Sequence, residues 1–118
     1  YSSADSALTI RNCEIWDVED DAISITSTAK RITIHDNKIL TSAIGLHANN
    51  GAEFMIKDNW FVDCTTPIDV NNASVVRAMI TGNNWYGCTN DMNSAAATNP
   101  LITDNVDKAG AWFTTDDK

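Results

Sequence analysis

No apolar run in the 118 residues is long enough to cross a bilayer as a helix, so no membrane-spanning segment is expected. The three cysteines, Cys13, Cys64 and Cys88, include no C-x-x-C pair, which argues against a structural zinc. An odd number cannot all pair with one another, so a disulfide framework is not expected either. Basic residues are scarce, 8 against 16 acidic, for a formal charge of −8. Phosphates would be repelled, which excludes nucleic acid and anionic membrane surfaces as natural partners. The same acidic surface, rich in Asn and Thr, keeps the chain soluble and suits neutral or cationic sugars. The chain opens Tyr1-Ser2-Ser3, without Met or an apolar leader, and reads as a processed or excised piece of a longer protein. Its length predicts one domain with a core of modest stability.

What the chain does have is a repeat. Leu8-Thr9-Ile10-Arg11-Asn12-Cys13-Glu14-Ile15-Trp16 overlays on the blocks that begin at Ile32, Phe54 and Ala78, with successive starts 24, 22 and 24 residues apart. Each block begins with period-two alternation, as in Ile32 and Ile34 inward against Thr33 and His35 outward, the mark of a half-buried strand. A polar pair ending in Asn comes next (Asp36-Asn37, Asp58-Asn59, Gly82-Asn83), and such residues tolerate the left-handed backbone of a tight bend. A second short strand carries Ile15, Ile39, Phe61 and Trp85 in register. A third reads Ile23-Ser24-Ile25, Ile44-Gly45-Leu46 and Ile68-Asp69-Val70.

Three short strands per repeat cannot fold as hairpins, but they can wind as a coil in which each strand pairs in parallel with its copy one repeat later. The sequence therefore predicts an all-β fold, a parallel β-helix of about four coils over residues 1–94, with a C-terminal loop and capping segment over 95–118. The inward columns are Leu8-Ile32-Phe54-Ala78, Ile10-Ile34-Ile56-Ile80, Ile23-Ile44-Ile68 and Ile25-Leu46-Val70. The column Cys13-Asn37-Asn59-Asn83 predicts an asparagine ladder, each amide donating to one neighbouring coil and accepting from the other. The Leu-x-x-Leu-x-Leu pattern of leucine-rich repeats is missing, and the alternation disfavours an α-helical solenoid.

At these residues, from about 7 to 94, the chain resembles the right-handed parallel β-helix proteins of the pectate-lyase-like superfamily, which includes polysaccharide lyases, polygalacturonases and phage tailspikes. Asn83-Asn84-Trp85-Tyr86-Gly87 resembles the Asn-Trp-Trp-Gly stretch near the last coils of such proteins, and Asn99 to Phe113 resembles the segment that commonly succeeds that stretch. The resemblance implies the C-terminal end of a longer β-helix. It also implies three functional readings. The first is a structural and polysaccharide-recognition segment of an extracellular or virion protein, a trimeric phage tailspike or fibre that meets a cell-surface glycan. The second is the C-terminal part of a polysaccharide hydrolase or lyase, and the third a bacterial surface adhesin segment.

Candidate chemistry concentrates in the acidic turn Asp17-Val18-Glu19-Asp20-Asp21, where coil one is expected to exceed coil two by two or three residues. Paired carboxylates are what glycoside hydrolysis uses, so Glu19, Asp20 and Asp21 are the candidate catalytic residues. Asp20-Asp21-Ala22-Ile23-Ser24-Ile25 resembles the Asp-Asp-Cys-Ile-Ala-Ile stretch of polygalacturonases. The Gly-His-Gly segment of those enzymes is replaced by Thr41-Ser42-Ala43, and their Arg-Ile-Lys by Asp69-Val70-Asn71. No resident cofactor is expected. Ca²⁺ is the cation that the oxygen donors of the acidic turn would suit.

Trp16 and Trp60 are candidates to stack on a pyranose face. His47, expected outward beside Asn71, and Asp69 complete the candidate substrate-binding set. Arg11, His35 and Lys57 align as an outward basic column, the arrangement a lyase would use. Trp16, Leu40, Val62 and Tyr86 form an apolar row next to the inward one. It either lies outside as an interface, for which tailspike trimers offer a precedent, or is buried by a bend in the strand. Cys64 and Cys88 align one coil apart, within reach of a disulfide but expected as two thiols. Asn72-Ala73-Ser74 is a glycosylation sequon.

Overall fold

A computed structural model describes residues 7–26 and 30–108, and among them every regular element is a strand. The first strands of successive repeats, β1 (Leu8–Arg11), β3 (Lys30–His35), β5 (Gly51–Lys57) and β9 (Met79–Thr81), pair in parallel in that order, and β11 (Leu101–Thr103) adds to them. A second sheet stacks β2 (Glu14–Ile25), β4 (Lys38–Ala48), β6 (Trp60–Val62), β10 (Asn84–Tyr86) and β12 (Val106–Lys108). The third side of the coil is carried by the far halves of β2 and β4 and by β7 (Thr66–Asp69), while the short β8 (Val75–Val76) pairs with β5. Every pairing is parallel and joins one coil to the next, which makes the chain a parallel β-solenoid of about four turns.

The chain turns at corners with positive φ, some between strands and some as bends inside the longer ones, and these corners stack. One column is Asn12, Asp36, Asp58, Gly82 and Asp104. A second is Asp17, Thr41, Asp63 and Gly87, and a third Arg31, Glu53, Arg77 and Asn99. Asn, Asp and Gly are the residues that tolerate the left-handed region. Gly87 takes this conformation at φ 64° without strain, and a Cβ there would have to displace the exposed Asp63 carboxylate one coil away.

The inward columns fill the interior. Ile10 pairs with Ile34 in the neighbouring coil, Ile34 with Ile56 and Ile56 with Ile80. Ile34, Ile56 and Ile80 are fully buried, as are Ile39, Phe61 and Ile68. Each such side chain contributes about 1.5–3 kcal/mol on leaving water. Trp85 is buried on the Phe61 column, and its indole N–H has no acceptor among the described residues.

Beside the first corner column runs the predicted asparagine ladder. Asn37 Nδ2 donates to Asn59 Oδ1 (3.1 Å) and Asn59 Nδ2 to Asn83 Oδ1 (2.9 Å). Each Oδ1 also accepts from the backbone N–H of the preceding ladder residue: Asn37 from Cys13, Asn59 from Asn37 and Asn83 from Asn59. Each Nδ2 makes a second bond to a strand carbonyl of the preceding coil, on Ile10, Ile34 or Ile56. The ladder has a further member. Asn105 Oδ1 accepts from Asn83 Nδ2 at 2.9 Å, and its own Nδ2 donates to Ile80. The stack thus continues past residue 94 through β11 and β12, and the rest of the expected cap lies outside the described residues.

The third strand corrects the expected register. Ile23 pairs with Leu46 rather than Ile44, and Leu46 with Ile68, while Ile25 pairs with Ala48. Ile44 instead lies in a half-buried row with Asp21 and Thr66. Gly45, between Ile44 and Leu46, has no room for a side chain, since a Cβ there would meet the Phe61 ring and stand 2.5 Å from the Pro67 carbonyl. Coil one is also only slightly longer than coil two. Val18 to Asp21 spans three steps where Ser42 to Ile44 spans two, a one-residue bulge in place of the expected two or three.

The ladder makes a stability prediction. Asn59 is fully buried and bonded on both sides, so Asn59→Ala strands the Asn37 N–H and takes one partner each from Asn37 Nδ2, Asn83 Oδ1 and the Ile34 carbonyl. A loss of about 3 kcal/mol is expected in urea denaturation. A loss near that of an exposed Asn→Ala change would show that the ladder does not hold the coils.

Candidate functional site

The outward face of the second sheet gathers most of the polar and aromatic candidates. Along β2, Glu14 and Trp16 point outward on either side of inward Ile15, and the same alternation repeats in β4, β6 and β10. Two outward rows result. Glu14, Lys38, Trp60 and Asn84 are register partners in one, and Trp16, Leu40, Val62 and Tyr86 in the other.

The first row borders the corner column Asn12, Asp36, Asp58. Together they line an open groove of about 440 Å³, with Glu14, Asp36 and Asp58 as carboxylates, Lys38 as the cation, Asn12 as an amide and Trp60 as the aromatic wall. Trp60 is 38 % exposed, and its ring lies 5.5 Å from that of Tyr86 at an interplanar angle of 48°, so one side is backed by a second aromatic. Such a groove offers a flat apolar surface beside fixed hydrogen-bonding groups of both kinds.

The second row is graded. Trp16 is 61 % exposed, Leu40 and Val62 are half-buried, and Tyr86 is buried. The row is therefore neither a continuous outside stripe nor wholly inside, and only its coil-one end is open.

Round the next corner the structure brings together two candidates 26 residues apart. His47 Nδ1 lies 2.8 Å from Asp21 Oδ2, both side chains being mostly buried. With Nδ1 donating to the carboxylate, Nε2 of a neutral ring is the basic atom. In register, His47 stands between Ser24 and Asp69, not beside Asn71 as expected, a consequence of the same two-residue shift. Asp69 uses Oδ1 to accept the N–H of Asn71 at 3.0 Å and so closes its own turn. Glu19 and Asp20 are exposed on β2. Among the described residues, no three His, Cys, Asp or Glu side chains are arranged to hold a metal ion, and the acidic segment Asp17 to Asp21 runs along β2 rather than forming the expected turn.

Arg11, His35 and Lys57 are register partners as expected, with His35 Nδ1 taken up by Asp36 Oδ2 at 2.6 Å. Asn72 of the sequon has its Oδ1 bonded to the Ser74 N–H at 2.8 Å, within a tight turn. Sequence reasoning finds Trp60 but not its groove. A signal for the groove exists, since Asp36 and Asp58 recur immediately before the ladder asparagines, but bend chemistry alone accounts for the same residues.

A stack of parallel strands with three corner columns and an internal asparagine ladder defines a parallel β-helix. The chain matches the family described as the right-handed beta helix region over residues 1–116, and it belongs to that family. No curated protein and no solved structure gives a significant match.

Proposed function

We propose that this chain is a polysaccharide-recognition segment of an extended extracellular β-helix protein, and that the glycan lies in the groove beside Trp60. The observation that carries this reading is the Trp60 ring, exposed on one side and backed by Tyr86, within one groove that also holds Lys38 and the carboxylates Glu14, Asp36 and Asp58. Pyranose rings offer an apolar C–H face to an aromatic and hydroxyls to carboxylates and amides. Coils repeat every ~4.8 Å, the interstrand spacing, which is close to the length of one sugar unit along a chain. A row of one side chain per coil therefore meets successive sugars. The negative charge around Lys38 favours neutral or cationic glycans over uronate polymers. Calorimetric titration with a panel of neutral, cationic and anionic polysaccharides is expected to show binding to the first two, weakened about tenfold in Trp60→Ala. Absence of binding across the panel, or equal binding by Trp60→Ala, would count against it.

The finer form of the reading is a trimeric phage tailspike or fibre. Its support is the open end of the second row, where Trp16 is exposed above half-buried Leu40. In that arrangement Trp16 meets a neighbouring copy. Sedimentation velocity is expected to give a trimer that Trp16→Glu dissociates, and a stable monomer of the unaltered chain would rule the trimer out.

A specific observation also favours a second reading, polysaccharide cleavage. Asp21 holds His47 by Nδ1, which leaves Nε2 to act as a base toward a bound sugar. Glu19 and Asp20 lie nearby in sequence as the remaining acidic candidates. If this holds, incubation with the same panel releases reducing ends or unsaturated uronates, and His47→Gln abolishes the release. No release by the unaltered chain with any substrate removes the enzyme reading.

A further inference from the structure

One nucleophilic pair lies apart from both outward sites. The position after the second corner is filled, coil by coil, by Val18, Ser42, Cys64 and Cys88. Val18 and Ser42 are register partners, and Ser42 Oγ donates to Cys64 Sγ at 3.3 Å. Phe61 pairs with Trp85 and Val62 with Tyr86, so the same 24-residue offset sets Cys88 directly on Cys64. The two thiols have matching surroundings. Cys64 Sγ lies 3.7 Å from the Val62 carbonyl and 4.0 Å from that of Ile39, and Cys88 Sγ 3.7 Å from Tyr86 and 4.0 Å from Phe61. The Cys88 side chain also hydrogen-bonds to Cys64. Parallel neighbours in a sheet stand ~4.8 Å apart, inside the Cα separation that a disulfide spans.

We propose that Cys64 and Cys88 are a dithiol that closes, under a small-molecule disulfide oxidant such as glutathione disulfide, into a bond stapling coil three to coil four. Cys88 is the entry point, because it is half-buried while Cys64 is buried beneath the chain. Cys88 gives its proton to the Cys64 thiolate that it hydrogen-bonds, and its sulfur attacks one sulfur of the oxidant, forming a mixed disulfide and releasing one thiolate that takes up the proton Cys64 then loses to solvent. The Cys64 thiolate then attacks the Cys88 sulfur and expels the second thiol. Two protein S–H groups and one small disulfide become one protein disulfide and two small thiols. The hydrogen bond from Cys88 is the largest influence on the Cys64 thiol. With the bonds from Ser42 and Val62, and against the opposing effect of burial, it brings the thiol from 9.0 to about 6. The resolving thiolate is therefore populated at neutral pH.

The distinction from Cys13 makes the idea testable. Cys13 is exposed on the first coil and has no cysteine in its column, which continues with Asn37. The intact chain would be equilibrated with glutathione and glutathione disulfide over a range of ratios, alkylated with iodoacetamide and mapped by mass spectrometry. The expected result is loss of two hydrogens, a Cys64–Cys88 linked peptide, and Cys13 found alkylated or singly glutathionylated. The linked form should melt about 10 °C higher, because the bond closes a loop of 25 residues. Cys88→Ser should abolish both the link and the rise in melting temperature. Serine already occupies this column at Ser42, so the variant is expected to fold, and a thermal midpoint matching that of the reduced unaltered chain checks this. Cys64 remaining alkylatable after full oxidation, or a link through Cys13, would overturn the proposal.

Discussion

The hydrogen bonds that a sheet cannot make at a corner are what the rest of this structure depends on. Where the chain turns at Asn12, Asp36, Asp58 or Gly82, the ladder of strand bonds is interrupted, and the next backbone N–H points toward the interior with no strand carbonyl opposite it. A buried donor without an acceptor costs about 1–3 kcal/mol, repeated at every coil. The asparagine column removes that cost. Each Oδ1 accepts the orphaned N–H of the preceding coil, and each Nδ2 reaches a strand carbonyl of that coil. The backbone carbonyls of Cys13, Asn37, Asn59 and Asn83 accept from the residue after the next ladder member. The corner is thereby satisfied only when coils are in register, so the ladder fixes register as well as closing bonds.

The other two corners are met differently. The second column keeps Asp17 and Asp63, which suit positive φ, but also Thr41, whose branched Cβ does not. The third uses Arg31, Glu53 and Arg77, none of which favours the left-handed region. The cost, ~1–2 kcal/mol each, is imposed by the stack from outside the residue. An exposed ion pair between Arg77 and Glu53 at 3.5 Å offsets little of it. Coil closure and burial of the isoleucine columns outweigh local preference at these positions.

That division explains what can be seen in the sequence. The columns through Ile10 and Ile34, and the ladder through Asn83, are legible because each position needs one residue type in every coil. Asn105 is equally legible. It falls 22 residues after Asn83, and Ile102-Thr103-Asp104-Asn105 matches Ile80-Thr81-Gly82-Asn83, but the polar tail around it suits a cap just as well. The register of the third strand is not legible. Ile44 and Leu46 are equally apolar, and which of them pairs with Ile23 depends on the bulge between Val18 and Asp21 being one residue rather than two or three. The pairing of Asp21 with His47 is hidden for the same reason, since it depends on that register.

With the interior given over to stacking, the outward rows are where recognition chemistry can vary without disturbing the fold. Trp16 and Trp60 show how unequal two exposed tryptophans on one face can be. Trp16 stands at the first coil with Leu40 as its row neighbour, and its ring gains little restraint from that aliphatic side chain. Trp60 has an aromatic partner in Tyr86, itself buried and packed in the fourth coil. A ring held in place loses less freedom when a ligand settles on it, so more of the contact energy is retained as affinity. The grading of the second row from exposed Trp16 to buried Tyr86 thus has a functional consequence. The buried end supplies the support that turns Trp60 into a platform, and the open end leaves Trp16 suited to a softer contact with a neighbouring surface.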